Sequence, residues 1–262
     1  MPQDRPAGRP VPVVYTMGKV GSTAIAAALH RAGLDCYHIH SLTPKQLVTQ
    51  ASQYLTRGKL PPLHVSAAMA FRRGLWTQPG RCLYISAVRD PLSRNLSAYF
   101  ENVKAQEGEP WNEKGAARHF ADFVANYPHG LPLSWFDREF KAQLGIDIYK
   151  HDFDRERRWS YYPEHRTVLF RIDCPDTVKS RVLSDLLGCE ITIERENDSA
   201  GKDYVELYRQ VQDLARFTGG FSADAYASRF CRHFWSKDEL AAMAARWHRP
   251  EAAAAPAVTA AP

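Results

Sequence analysis

The stretch Val11-Pro-Val-Val-Tyr-Thr-Met-Gly-Lys-Val-Gly-Ser-Thr-Ala-Ile-Ala-Ala-Ala-Leu-His30 decides the fold. Val11 to Thr16 is short, apolar and β-branched, which predicts a buried strand. Met17 to Gly21 holds two glycines and a lysine and predicts a tight turn. Ser22 to His30 is rich in alanine and predicts a helix. A strand, a glycine turn and a helix start together make an anion site. The first-turn N–H groups lack intrahelical partners, and the helix dipole favours negative charge there. Gly18, Lys19, Val20, Gly21, Ser22 and Thr23 are the residues of that site. Lys19 adds a full positive charge, and the two hydroxyls add donors.

Working outward, strands alternate with helices through the first hundred residues. Asp35–His40 predicts a second strand, and Thr43-Pro44 starts a helix running to about Arg57. Pro62–Ser66 predicts a short strand followed by a helix through Phe71. Arg81–Val88 is nearly continuous and apolar, as in a parallel sheet covered on both faces. Asp90-Pro91 then caps a helix running to about Lys104. Helices follow near 116–126 and 133–144, and Gly145–Tyr149 is a further short strand. Residues 150–163 form a charged, aromatic loop. Thr167–Ile172 is a strand, Pro175–Leu187 a helix ended by Gly188, and helices are expected over 203–217, 222–230 and 236–247. This pattern predicts an α/β fold of three layers, with a central parallel sheet flanked by helices and a helical C-terminal part. Residues 1–10 are expected as a loose arm, 11–248 as one domain and 249–262 as a disordered Ala/Pro tail. Ligands of such sheets sit at the carboxyl ends of the strands.

Composition narrows the function. The chain of 262 residues carries a net charge of +5, mildly basic and suited to an anionic ligand. No basic helix or aromatic-interleaved stripe marks a nucleic-acid binder. No stretch approaches the length of a membrane span. The five cysteines form no CxxC pair and read as reduced core residues. A cytosolic protein is expected.

The first loop is not a Walker A motif, because Lys19 precedes Gly21 rather than following the last glycine. Gly-Lys-Val-Gly-Ser-Thr resembles instead the 5′-phosphosulfate loop of sulfotransferases, which take sulfate from 3′-phosphoadenosine-5′-phosphosulfate (PAPS). A second element is Ala87-Val-Arg-Asp-Pro-Leu-Ser-Arg-Asn-Leu-Ser-Ala-Tyr99. Arg89 leaves a strand end and Ser97 lies eight residues on, a guanidinium fork and a hydroxyl suited to a phosphomonoester. That spacing resembles the 3′-phosphate motif of the same superfamily. Val-Arg-Asp-Pro-x-x-Arg-x-x-Ser-x-Tyr is closest to the hexuronyl 2-O-sulfotransferases and to bacterial capsular polysaccharide synthesis proteins of the NKWYS type. Leu63-His-Val-Ser66 is similar to the segment carrying the catalytic base of the 2-O-sulfotransferases. Trp135–Glu139, Gly145–Tyr149, Lys202-Asp-Tyr204 and His233–Ser236 resemble the bacterial family. The gly/lys segment Arg195–Lys202 resembles the one that closes over the nucleotide, with Lys202 as its contact.

The resemblance implies a PAPS-dependent sulfotransferase that needs no metal and acts on a hydroxyl, such as that of a bacterial capsular or other glycan. Lys19 would neutralise the leaving phosphate. The general base would be His64 first and His40 second. His38 and His40 share a strand face, but the three histidines have no metal-ligand spacing. From their own chemistry, loops 104–115 and 150–163 would shape the acceptor cleft: Arg155, Arg157, Arg158 and Trp159 suit an anionic sugar through charge and stacking, and the alternative is a solvated charged loop. Two other readings stay open. One is a P-loop kinase or NTPase, against which stand the displaced lysine and Arg89 in place of a magnesium-holding acid, although Asp90 is adjacent. The other is a non-catalytic nucleotide-binding protein on the same fold.

Overall fold

The computed structural model describes residues 8–75, 77–105, 114–194, 204–214 and 219–247. The arm before Gly8, the tail after Trp247 and the segment carrying Lys202 lie outside the described residues. Arg9, at the end of the arm, donates to the Gly188 carbonyl at 3.1 Å.

Strand β1 (Val11–Tyr15) is buried along its whole length. Helix α1 (Ser22–Arg31) follows it, then β2 (Tyr37–Ile39). Two helices, α2 (Pro44–Leu55) and α3 (Leu63–Gly74), lead to β3 (Cys82–Val88), again buried throughout. At the next corner the Asp90 carboxylate accepts from the Leu92 N–H at 2.9 Å, so α4 (Pro91–Ala105) starts with an aspartate cap and a first-position proline. Helices α5 (Ala116–Asn126) and α6 (Leu131–Phe136) follow, and α6 runs on as a π-helical stretch, Asp137–Leu144. The hairpin of β4 (Trp159–Tyr162) and β5 (Thr167–Arg171) comes next, then α7 (Asp176–Leu187), α8 (Val205–Leu214), α9 (Gly219–Tyr226), α10 (Arg229–Phe234) and α11 (Lys237–Trp247).

The sheet order is β2-β1-β3-β5-β4. All pairs are parallel except β4 with β5. Helices cover both faces. On one, α1 and α7 bury Ile25, Leu29, Val182 and Leu183 against Val14, Ile85 and Phe170. On the other, α2 to α6 and the C-terminal helices bury an aromatic-rich core around Tyr15, Tyr84, Phe100, Phe136 and Phe140. Arg171, fully buried at the end of β5, joins the C-terminal helices to the sheet. It pairs with Asp173 and Glu239, and donates to the Phe234 carbonyl.

Four local expectations are corrected. Pro62–Ser66 is not a strand: Pro62 stands before the first residue of α3, and the Ala, Met and Phe that follow carry one helix through Gly74. Val65 alone in that run is β-branched, too little to favour a strand. Gly145–Tyr149 forms no strand either. Gly145 takes φ 75° and ends the π-helical stretch, and the chain then winds into a short 3₁₀ turn at Ile148–Lys150. The charged stretch 150–163 holds β4, whose hydrogen bonds come from β5 on one side only. The single helix expected over 222–230 is two, because the chain breaks at Ser228, whose hydroxyl accepts from the Cys231 N–H to cap α10. All five cysteines are thiols outside any disulfide, and burial pushes the Cys231 thiol up to about 12.

Candidate functional site

The connection after β1 runs to one edge of the sheet and the connection after β3 to the other. The crevice between the carboxyl ends of β1 and β3 is therefore the point where the strand order reverses. Both sequence elements end there. The loop after β1 has three residues with positive φ, 74° at Gly18, 61° at Lys19 and, after Val20, 81° at Gly21. Glycine takes that conformation freely, whereas Lys19 is held in it.

What holds Lys19 is the β3–α4 corner. Arg89 Nη1 donates to the Lys19 carbonyl at 3.1 Å. Arg94 donates to the Gly18 carbonyl at 3.2 Å and to the Met17 carbonyl at 2.6 Å. Its remaining donors reach Asn95 Oδ1 and the Tyr127 hydroxyl. Three successive carbonyls thus point to two arginines. In a trans peptide the N–H points opposite to the C=O, so the N–H groups of Lys19 and Val20 face away from the arginines, as in an anion nest. Lys19 Nζ pairs with Glu101 at 2.9 Å, and the Tyr204 hydroxyl donates to the same carboxylate at 3.2 Å.

Arg94, Ser97 and Glu101 are spaced by three and four along α4 and share one helix face. The outer two both touch the loop, so the half-buried Ser97 lies on the face turned to it. Sequence reasoning named Ser97 but assigned nothing to Arg94 or Glu101. Their helical phase with Ser97 was the signal that could have found them.

The other flank of the crevice is built of histidines. His38 Nε2 lies 2.9 Å from the Ser22 hydroxyl, at the first residue of α1. His40 Nδ1 lies 3.0 Å from the Thr16 carbonyl, which can only accept, so Nδ1 carries the proton and Nε2 the lone pair. A Cβ at Gly18 would stand 3.7 Å from the His40 ring, which places that ring against the loop. The His64 ring lies 4.9 Å from that of His40, centre to centre, and the His38 ring lies 5.0 Å from that of His40. His64 reaches this cluster from the first turn of a helix, not from a strand end. Burial is the main cause that lowers all three: His38 to about 4 with His64 and His30 adding to it, His40 to about 3 with His38 and His64 adding, and His64 downward by burial. At neutral pH the three rings are uncharged.

Beneath the histidines lies a carboxylate that sequence reasoning placed only in a family-like segment. Glu139, buried in the π-helical stretch, accepts from the Tyr15 hydroxyl at 2.5 Å, the Leu42 N–H at 2.7 Å, Ser41 Oγ at 2.8 Å and Thr43 Oγ1 at 2.9 Å. Thr43 stands at the start of α2, but its hydroxyl goes to Glu139 and does not cap that helix. Glu139 therefore ties the end of β1 to the turn that follows β2 and His40.

The remaining sequence candidates fall elsewhere. Lys202 lies outside the described residues. Loop 150–163 sits at the β4 edge, separated from β1 by β3 and β5, roughly 14 Å across the sheet. Its arginines brace the fold there: Arg155 donates to the carbonyls of Arg232 and His233, Arg157 pairs with Asp154, and Arg158 with Asp173. Among the described residues no helix is long and apolar enough to cross a membrane. No protein-family model, no curated protein and no solved structure matches the chain.

Proposed function

We propose that the chain is a sulfotransferase of P-loop type that moves the sulfuryl group of PAPS to a hydroxyl, with a glycan as the acceptor class. One observation carries the reading. Arg89 donates to the Lys19 carbonyl, so the loop resembling a phosphosulfate cradle and the element resembling a 3′-phosphate clamp form the two lips of one crevice.

The residues present fit such a donor: a nest of backbone N–H groups, a lysine, a guanidinium and a hydroxyl on a facing helix. When bound, PAPS supplies an electrophilic sulfuryl group on a phosphate leaving group. Lys19, released from Glu101, neutralises charge on that phosphate. Thr23, exposed in the first turn of α1, offers a further hydroxyl. Ser22 can donate to the phosphate only in the tautomer where His38 Nε2 donates to it. Arg89 and Ser97 hold the 3′-phosphate. His64, uncharged and less enclosed by the loop than His40, accepts the proton of the acceptor hydroxyl. His40 is the second choice, because a ring lowered to about 3 is a weak base at neutral pH. A kinase reading would need Asp90 for magnesium. Its oxygens already accept from the Leu92 N–H and the hydroxyls of Ser93 and Tyr226.

The test is calorimetric titration with 3′,5′-adenosine bisphosphate and adenosine 5′-phosphate. A charge-assisted contact contributes about 1.5–3 kcal/mol, so the bisphosphate should bind roughly tenfold to a hundredfold more tightly. Arg89→Ala should remove most of that preference. Equal affinity of the wild type for both nucleotides would overturn the reading.

A further inference from the structure

We propose that His151 and His165 form a binding site for a divalent cation of the zinc class, oriented by Glu164, at the opposite end of the strands from the nucleotide crevice. The site is built from two segments that meet in space. His151 ends the 3₁₀ turn Ile148–Lys150. Glu164 and His165 lie in the turn Pro163–His165 between β4 and β5, closed by Arg166 at φ 46°.

The geometry is that of a metal pair with its outer support. The Nε2 atoms of His151 and His165 are 3.1 Å apart. Two imidazole nitrogens on one tetrahedral zinc, each at about 2.0–2.1 Å, lie about 3.3 Å apart. Glu164 Oε1 is 3.0 Å from the other nitrogen of His151, Nδ1. A carboxylate there keeps the proton on Nδ1 and the lone pair on Nε2, the arrangement that orients metal-binding imidazoles. The His151 ring is fixed further by the Tyr162 ring, 5.0 Å away, and by the His165 ring at 4.9 Å. One ligand atom from each of His151, Glu164 and His165 can be chosen so that all lie within 4.8 Å of one another.

A separate observation supplies room for the remaining positions. His151 and Glu164 line a cavity of about 580 Å³ whose wall also carries Asp152, Asp154 and Tyr161. Water or an oxygen ligand can complete the coordination from that side. Two imidazoles with carboxylate and water suit zinc and its neighbours rather than magnesium or calcium. The site lies just before the amino end of β5, whereas Lys19 and Arg89 follow the carboxyl ends of β1 and β3, so it takes no part in the proposed sulfuryl transfer. Without metal the same atoms form a plain relay, His165 Nε2–H to His151 Nε2 and His151 Nδ1–H to Glu164.

The test is zinc binding by the full-length chain, measured by competition with a chromophoric chelator and by thermal melting. The wild type should bind one zinc at this site and melt at a higher temperature with zinc than without. His165→Ala should abolish the zinc-dependent rise, and Glu164→Gln should weaken binding about tenfold or more. Glu164 is exposed, so that variant stays informative even where His165→Ala does not fold. Two other places could take zinc: the His38–His40–His64 cluster, and Cys36, whose Sγ is 3.7 Å from His30 Nε2. Failure of the wild type to bind zinc overturns the proposal. So does zinc that survives both His165→Ala and Glu164→Gln but is lost in His64→Ala or Cys36→Ala.

Discussion

The two flanks of the crevice solve the same problem with opposite electrostatics. On the β3–α4 side, two arginines hold the loop by its carbonyls, and positive charge stays at the site. On the β2 side, three imidazoles are kept uncharged by burial, and a buried carboxylate beneath them is satisfied by hydroxyl and amide donors rather than by a cation. The difference separates two tasks. In the proposed reaction one flank would fix an anion, and the other would keep neutral nitrogen lone pairs beside it.

The sharpest way to break that division is at the histidines. A positioned base contributes about 10²–10⁴-fold, so His64→Ala should lower turnover by that factor and leave bisphosphate affinity within a few-fold. His40→Ala is the control. If His40→Ala loses turnover and His64→Ala does not, the base is His40. If neither does, Glu101, the carboxylate beside Lys19, becomes the group to replace.

Next in size is the contrast between the two anchors. Glu139→Ala leaves the Tyr15 hydroxyl and the Leu42 N–H buried without an acceptor, and should cost about 3 kcal/mol of stability in denaturant melts. Arg94→Ala frees the carbonyls of Met17 and Gly18, and should weaken nucleotide binding by a larger factor than Glu139→Ala does in whatever fraction remains folded. Equal loss of nucleotide affinity in the two folded variants would mean that the flanks are one unit.

The smallest effect is in the pH profile. The folded values of His38 and His40, about 4 and about 3, lie below the unfolded value of about 6.5. Unfolding therefore takes up protons between these limits. The stability tied to the pair is complete above about pH 6.5 and is lost as the pH falls toward 4 and below. A His38→Gln, His40→Gln double variant should show a flatter fall of melting temperature between pH 6 and 4. An unchanged slope would show that the rings are not buried neutral.

The parts of this molecule that could be read from sequence are those with local signals. The β1–loop–α1 unit, β3 and the Asp90-Pro91 cap each carry their instructions in one contiguous run of sequence, and the structure forms them as expected. β4 was hidden because it follows five consecutive charged residues, Asp154 to Arg158, and gains its strand character only by pairing with β5. The α3 helix was mistaken for a strand at its start because four residues cannot separate the two periods. Of the site, Lys19, Arg89, Ser97 and the histidines could be named. Glu139 could not be placed, since its role depends on Tyr15, which lies 124 residues earlier in the chain.

That last separation has a consequence for synthesis. The crevice is assembled from the first hundred residues, but its polar partners come much later. Tyr15 waits for Glu139, Asp90 for Tyr226 across 136 positions, and Arg171 for Glu239 across 68. A chain emerging from the ribosome up to Lys104 already holds the loop, both arginines and all three histidines, and none of these closures. The site is written early and locked last, because its closing contacts wait for α9 and α11 to be synthesised.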